Sequence, residues 1–169
     1  MILRKAIQSE LPVIWEILQF AIEQRRLDGS KQWQDGYPNP TSIQEDLNNG
    51  HAYVVEENGV VLVYAAIIFD KEPAYEEIKG KWLTNGNYVV LHRVAASSLA
   101  KGKGVATKLF QMVEDLCVEK NVFSIKVDTN FDNQPMLRIM DKLGYTYCGE
   151  VIVNNGIRKA FEKVLLKSK

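Results

Sequence analysis

The sequence predicts one α/β domain over residues 1–169, with a mixed, mostly antiparallel sheet of six to seven strands flanked by about four helices. Segments with apolar residues at helical spacing are interspersed with short segments rich in Val and Ile. Residues 88–96 (YVVLHRVAA) are almost continuously apolar, as in a strand covered on both faces. No repeat or low-complexity segment divides the chain, so we expect a single domain.

The N-terminal segments predict a strand followed by a helix. Residues 2–7 (ILRKAI) indicate the strand. Residues 11–27 carry apolar side chains on one helical face, and Ser9 can cap that helix because its hydroxyl can accept a hydrogen bond from an unpaired N–H group. Residues 28–40 are interrupted by Gly and Pro and predict a loop.

A second helix and a hairpin are predicted next. The helix covers about residues 41–48, with Thr41 or Ser42 as its cap. Two apolar segments then flank Asn58 and Gly59, and Asn-Gly is the strongest short signal for a hairpin turn. Residues 71–86 are polar and contain several helix- and strand-breaking residues, so we expect irregular structure there.

The rest of the chain predicts two helices and four strands. The strand at 88–96 precedes an amphipathic helix, and the second helix ends at Gly144. The remaining predicted elements are a helix over 104–119, a strand over 123–128, a helix over 133–143, and a final antiparallel pair over 145–153 and 157–166.

The composition excludes several functional classes. The chain has 21 basic and 21 acidic residues, so it carries no overall electrostatic signal for nucleic-acid binding. The two cysteines, Cys117 and Cys148, lack the spacing of a zinc site or a disulfide framework, and we expect no bound metal. The N-terminus does not resemble a signal peptide, and no apolar segment reaches 18 residues. We therefore expect a cytoplasmic protein without a membrane partner, either a monomer or a homodimer.

A glycine-containing loop precedes the helix at 104–119, and exposed N–H groups at a helix start bind anions. The loop does not fit the Walker A pattern. Gly102 and Gly104 begin a dinucleotide-binding pattern, but Thr107 replaces its third glycine, and residues 97–101 separate the loop from the preceding strand. A coenzyme cradle of another kind and a plain turn before a helix remain as alternatives.

Residues 94–107 resemble the acyl-coenzyme A-binding segment of the GNAT superfamily of N-acetyltransferases. The family pattern [Arg/Gln]-x-x-Gly-x-[Gly/Ala] maps onto residues 101–106, with Lys101 in place of the usual Arg or Gln. Residues 133–145 resemble a second family pattern, Asn-x-x-Ala-x-x-Leu-Tyr-x-x-x-Gly-Phe. The spacing of the two motifs, the order of elements and the length also agree, so the resemblance spans the chain and implies a GNAT-like fold.

The resemblance implies acetyl-CoA as the cofactor. In the family, backbone amides of the glycine loop hold the coenzyme A diphosphate, and the strand before the loop bonds the pantetheine arm as an added strand would. The cofactor-binding residues implied are Val94, Ala95, Ala96, Lys101, Gly102, Lys103, Gly104, Val105, Ala106, Thr107, Asn133, Met136 and Met140.

The activity implied is direct transfer of an acetyl group to a small-molecule or peptidyl primary amine. Met140 falls where the family usually has a Tyr that protonates the leaving thiolate, and a thioether has no proton to donate. Tyr145 and Tyr147 are the nearest phenols in sequence, and Tyr147 is the candidate acid. The alternatives are a proton from solvent, a thiolate that leaves unprotonated, and a Tyr147 that serves only the core or the sheet. A non-catalytic acyl-CoA-binding or regulatory module remains the alternative.

His92 is the candidate general base, because an imidazole is largely neutral at cellular pH and can accept a proton. Alternation along a strand would put Val90, His92, Val94 and Ala96 on one face, toward the cofactor. The other interpretation is a histidine hydrogen-bonded inside the sheet. By the same resemblance, the 28–40 loop lies on the acceptor side, where its large residues either line the acceptor pocket or anchor the loop. Those two residues are Trp33 and Tyr37.

Overall fold

The computed structural model describes residues 1–167, and it divides the chain into two compact units. The first unit contains residues 1–67 and 92–112. The second contains residues 68–91 and the described part of 113–169.

The elements follow the predicted order, with one short helix and one short strand added. The strands are β1 (Ile2–Lys5), β2 (Ala52–Glu57), β3 (Val60–Ile68), β4 (Lys79–Gly80), β5 (Val89–Ala96), β6 (Ser124–Thr129), β7 (Thr146–Val153) and β8 (Gly156–Val164). The helices are α1 (Leu11–Leu27), α2 (Pro40–Asn48), α3 (Pro73–Glu76), α4 (Val105–Glu119) and α5 (Gln134–Lys142). Short 3₁₀ turns lie at Gln8–Glu10 and Ser98–Ala100.

The sheet is mixed and mostly antiparallel, which confirms the predicted fold class. In the first unit the strand order is β1-β2-β3-β5, and in the second it is β5-β6-β8-β7-β4. Strand β5 contributes residues 92–96 to the first unit and 89–91 to the second. It pairs in parallel with β6, whereas β1/β2, β2/β3, β4/β7, β6/β8 and β7/β8 pair antiparallel.

Residues 1–167 contain eight strands and five helices, more than predicted, because α3 and β4 both lie within residues 71–86, which were predicted to be irregular. Strand β4 has only two residues and α3 only four, so neither is long enough to show a hydrophobic period. None of the helices in the described part of the chain has the length and apolar character needed to cross a membrane.

Both predicted helix caps in the first unit are wrong, by one residue for α1 and by two or three for α2. Ser9 lies inside a 3₁₀ turn, and Glu10 directly precedes α1. The Glu10 carboxylate accepts hydrogen bonds from the Ile7 N–H at 2.9 Å and from Arg4 at 2.9 and 2.7 Å. Helix α2 is capped by Asn39, whose Oδ1 accepts from the Ser42 N–H at 3.1 Å, so the cap is neither Thr41 nor Ser42.

The core of the first unit packs α1 and α2 against buried strand residues. It contains Ile14, Ile17, Leu18, Ala21, Trp33, Ile43, Ala52, Val54, Tyr64 and Ala95. Trp33 belongs to this core although it comes from the 28–40 loop, so the loop is anchored by burying its tryptophan.

The second unit buries a charged pair at the centre of its sheet. Lys126 on β6 lies directly opposite Glu162 on β8, and each is almost fully buried. The Lys126 ammonium lies 4.0 Å from the Tyr88 ring centroid and 4.4 Å from that of Trp82. The Glu162 carboxylate accepts from the Leu83 N–H at 2.8 Å. This cluster therefore holds part of the 71–86 segment against the sheet.

Candidate active site

Strand β5 is irregular at Arg93, which has a φ of 56°. A left-handed backbone at a bulky residue is rare, and within a strand it interrupts the alternation of side chains. The prediction that His92 shares one face with Val94 and Ala96 assumed a regular strand, so that argument does not hold. Val94 is buried and His92 half-buried. The role of His92 as a base stays a prediction.

The loop after β5 has an open backbone at both glycines. Gly102 has a φ of 76° and Gly104 a φ of 66°, and no heavy atom comes within 4 Å of the position a Cβ would occupy at either residue. Among the described residues, no hydrogen-bond acceptor faces the backbone N–H groups of Gly104, Val105 and Ala106. Exposed N–H groups at the start of a 15-residue helix, beside glycines that allow close approach, fit the diphosphate of a coenzyme.

The side chains of this loop differ in their surroundings. Lys101 and Lys103 are both exposed, and Lys101 donates from Nζ to Gln24 Oε1 of α1 at 2.9 Å. Val105 is buried, and Thr107 is half-buried on the first turn of α4. Burial of Val105 thus fixes the start of α4, while the backbone at Gly102 and Gly104 stays open.

Trp33 covers a guanidinium near the end of α1. Its ring centroid lies 3.7 Å from Cζ of Arg25, and its backbone is left-handed, with a φ of 65°. Arg25 donates to the carbonyl oxygens of Ala21 at 3.3 Å and Val94 at 3.4 Å. Burial lowers the pKa of Arg25 to about 10, and the negative charge of Asp28 opposes that shift. Arg25 thus joins the 28–40 loop to strand β5.

Tyr37, the other aromatic residue of that loop, is held by a buried ionic cluster. Arg93 donates from Nη1 to the Tyr37 hydroxyl at 2.5 Å, and from Nε and Nη2 to Asp46 at 2.8 and 2.6 Å. The Tyr64 hydroxyl donates to the same carboxylate. Burial, followed by the charge of Asp46, raises the pKa of Tyr64. The loop is thus anchored at both aromatic residues, which was one of the two roles considered for them.

The second unit contains the remaining predicted residues. Asn133 is buried and caps α5, accepting a hydrogen bond from the Met136 N–H at 3.3 Å. Met140 is buried at 1% exposure, and Met136 is half-buried. Tyr147 is 53% exposed on β7, with its ring edge-on to Phe161 at 5.8 Å. Burial raises the pKa of Tyr145 well above that of an exposed phenol.

The charged residues around the 28–40 loop were not predicted from the sequence. Arg93 had a visible signal, since it is a charge within an apolar strand, where a buried charge needs a partner. Asp46 and Arg25 lie on helices, where acidic and basic residues are usually solvated. Nothing in the sequence around them therefore indicated that they would be buried.

Comparison with known proteins gives a consistent result. The model of the acetyltransferase (GNAT) family matches residues 14–145. The crystal structure of a GNAT-family acetyltransferase from Streptococcus agalactiae 2603 is 36% identical, with a TM-score of 0.90, and the match covers 98% of this chain and 96% of that chain. A search of curated proteins found no match.

Two more distant structures share the fold. A GNAT-family acetyltransferase from Listeria monocytogenes 4b F2365 is 19% identical, with a TM-score of 0.77, over 97% of this chain and 94% of that chain. A candidate acetyltransferase from Salmonella typhimurium, solved with its cofactor acetyl-CoA, is 18% identical. Its TM-score is 0.68, and the match covers 100% of this chain and 96% of that chain.

Proposed function

This chain belongs to the acetyltransferase (GNAT) family, and we propose that it is an N-acetyltransferase that uses acetyl-CoA to acetylate a primary amine by direct transfer. The observation that carries the proposal is the open glycine loop, where left-handed Gly102 and Gly104 precede unpaired N–H groups at the start of α4. That arrangement suits a diphosphate, and coenzyme A contains one.

The proposed cofactor site uses mainly backbone groups. The N–H groups of Gly104, Val105 and Ala106 would hold the diphosphate, with the ammonium groups of Lys101 and Lys103 adding positive charge. Backbone groups of residues 94–96 would bond the pantetheine arm as the resemblance implies. The same resemblance assigns Asn133, Met136 and Met140 to the cofactor.

For acetyl transfer, the residues of the chain must accept and donate protons and stabilise the negative charge that develops on the carbonyl oxygen. When bound, acetyl-CoA supplies an acetyl group activated as a thioester. His92 takes the proton of the acceptor ammonium, directly or through water, so that the amine becomes nucleophilic. A backbone N–H near Ala96 donates to the oxygen on which negative charge develops. Tyr147 donates a proton to the leaving thiolate, which the thioether of Met140 cannot do. Tyr145 is the other phenol nearby in sequence.

The acceptor is a small-molecule or peptidyl amine, with Trp33 and Tyr37 on its side of the site. We further propose a cytoplasmic monomer or homodimer without a nucleic-acid partner. The balanced charge of 21 basic and 21 acidic residues supports the absence of nucleic acid. The two buried free cysteines suit a reducing compartment.

A non-catalytic acyl-CoA-binding module is the second candidate. The observation that favours it is Met140, a buried thioether where the family usually has a proton-donating Tyr. Such a module would keep the open glycine loop and bind coenzyme A without turnover.

Calorimetric titration with acetyl-CoA, coenzyme A and NAD, followed by a thiol-release assay with a panel of amines, tests the proposal. Binding of acetyl-CoA with amine-dependent thiol release supports the acetyltransferase. Binding without release above background favours the module. Binding of NAD but not coenzyme A contradicts both and restores the dinucleotide interpretation of the glycine loop.

A further inference from the structure

Arg25 is a shielded cation without an anionic partner in the part of the chain that the structure describes. Its Nε is buried and has no hydrogen-bond acceptor there, and its other nitrogens donate only to the carbonyl oxygens of Ala21 and Val94. Asp28 influences its charge but makes no ion pair or hydrogen bond with it. A guanidinium stays charged at neutral pH, and a buried charge is costly unless it is paired. An anion from outside the described chain would complete this site.

The free edge of the guanidinium defines the shape of that anion. A carboxylate pairs with arginine through two parallel hydrogen bonds, and one common geometry uses Nε together with Nη2. In Arg25, Nε is unpaired, and Nη2 has two hydrogens but makes a single long bond of 3.4 Å to Val94. Arg25 as a whole is only half-buried, so a carboxylate that reaches this edge could accept from both nitrogens.

Trp33 fixes the plane in which the anion would bind. Its ring covers the face of the guanidinium at 3.7 Å, so a ligand on that side is excluded and the in-plane edge remains. A left-handed backbone at a residue of this size is rare and is often found where a site needs a defined geometry. The strain at Trp33 is consistent with a binding role for the pair as well as an anchoring one.

Arg25 and Trp33 lie next to the strand that the proposed function assigns to the cofactor. The Val94 carbonyl contacted by Arg25 lies on the strand that the proposed function assigns to the pantetheine arm. The diphosphate has its own proposed place at the glycine loop, where Gly102 and Gly104 are open. Two sources of an anion remain, the ribose phosphate of coenzyme A and the acceptor. We assign the anion to the acceptor because the proposed function puts Trp33 and the 28–40 loop on the acceptor side, and the acetyl-CoA affinities of the variants below test the other source.

We propose that Arg25 and Trp33 form a carboxylate-binding subsite on the acceptor side, so that the acceptor is an amine carrying a carboxylate, such as a free amino acid. This inference rests on the proposed acetyl transfer. The two carboxylate oxygens of the acceptor would accept hydrogen bonds from Nε and Nη2 of Arg25. The amine of the acceptor would stay unbound and available to react.

Matched pairs of acceptors test the subsite. We would measure kcat/KM for a panel of L-amino acids and for the corresponding L-amino acid amides in the wild type, Arg25→Gln, Arg25→Lys and Arg26→Gln. The amide has the less basic amine, which alone would favour the amide, so a preference for the acid reports on the carboxylate. Arg26 is exposed and paired with Glu23, which makes Arg26→Gln a matched control on the adjacent residue.

We expect at least one amino acid to be preferred over its amide by about tenfold or more in the wild type and in Arg26→Gln. Arg25→Gln should reduce that ratio to about one, chiefly through KM for the acid. Arg25→Lys should retain an intermediate ratio because it keeps the charge but loses the two-bond geometry. The acetyl-CoA affinity should be unchanged in all three variants, which also verifies their folding.

Equal kcat/KM for acids and amides in an active wild type overturns the subsite and leaves acetyl transfer standing. So does an Arg25→Lys variant that keeps the wild-type ratio but binds acetyl-CoA more weakly, because Arg25 would then serve the cofactor. If no acceptor turns over, thermal shifts with the same compounds decide. Stabilisation by acids over amides that is lost in Arg25→Lys supports the subsite, and equal shifts overturn it. Failure to bind acetyl-CoA would overturn the proposed function separately.

Discussion

Arg93 and Asp46 form a two-bond ion pair inside the first unit, with Nε 2.8 Å from Oδ2 and Nη2 2.6 Å from Oδ1. Their side chains are only 14% and 5% exposed. Burial alone would lower the pKa of Arg93, but hydrogen bonds and charge from Asp46 and Tyr37 outweigh it and raise that pKa. The pair connects β5 to α2 and to the 28–40 loop, so it fixes the loop relative to the strand.

Replacing Asp46 by Ala should destabilise the protein strongly, because it leaves the Arg93 guanidinium buried without its counter-charge and removes the acceptor of the Tyr64 hydroxyl. Breaking a buried pair from one side typically costs about 3–5 kcal/mol. Urea unfolding measures the loss as a change in the free energy of unfolding. The exposed pair of Glu23 and Arg26 provides the control, and Glu23→Gln should leave that free energy unchanged within error.

The double variant Arg93→Met with Asp46→Leu separates pairing from burial. It removes both charges and should lose less stability than Asp46→Ala alone, because no unpaired charge remains. If Asp46→Ala alone were as stable as the wild type, Arg93 would have found another partner or reached water. The ion pair would then not be what holds the loop.

Regular elements were predictable because their patterns are local. The apolar face of α1 gives its bounds, Leu11–Leu27, and the Asn58-Gly59 turn gives the β2–β3 hairpin. The caps were not predictable, because Ser9, Thr41 and Ser42 are all chemically suitable and the surroundings decide among the candidates. Glu10 precedes α1 but makes no side-chain bond to its first turn, because its carboxylate binds Arg4 and the Ile7 N–H; Asn39 lies before a proline that begins its helix.

The candidate site was predictable only where its backbone is the functional group. The spacing of Gly102 and Gly104 indicated an open loop at a helix start, and both glycines are left-handed as such a loop requires. Arg93 has a left-handed backbone, and its side chain bonds Asp46 and Tyr37, which are distant in sequence. No periodicity along β5 encodes this conformation, so the orientation of His92 could not be derived from alternation.

Gly104→Ala should weaken coenzyme A binding by about tenfold or more, because the new methyl group would occupy open space that the diphosphate needs. The left-handed backbone would also cost about 1–2 kcal/mol of stability. Calorimetric titration gives the Kd. Gly59→Ala is the matched control, since Gly59 is also left-handed with open space at its Cβ position, and its Kd should stay at the wild-type value. An equal Kd in both variants would remove the loop from the cofactor site.

Cys117 should make stability fall at high pH. Burial, followed by the charge of Glu114, raises the pKa of this thiol from 9.0 to about 12. Between these values the unfolded thiol loses a proton that the folded thiol keeps. Its stabilising contribution is therefore complete below pH 9.0 and lost as pH rises towards about 12, by up to about 1.4 kcal/mol per pH unit.

Urea unfolding from pH 8 to 10 should therefore show a shallower decline in Cys117→Ala than in the wild type. Val113→Ala is the control, because it truncates a buried side chain of the same helix that does not titrate. Its loss of stability should be the same at every pH. Parallel pH curves for Cys117→Ala and the wild type would mean that the thiol titrates normally in the folded protein.

His92→Gln should lower kcat/KM by more than about tenfold near neutral pH without loss of fold, because glutamine keeps the size and polarity of the side chain but cannot accept the ammonium proton. The other histidine, His51, supplies the control. Its backbone bonds Asp46 and Ile67, and His51→Gln should retain wild-type kcat/KM. If His92 is the base, the loss should shrink as pH rises and more of the acceptor amine is already deprotonated. A pH-independent loss would indicate a structural role, and full activity in His92→Gln would leave deprotonation to water.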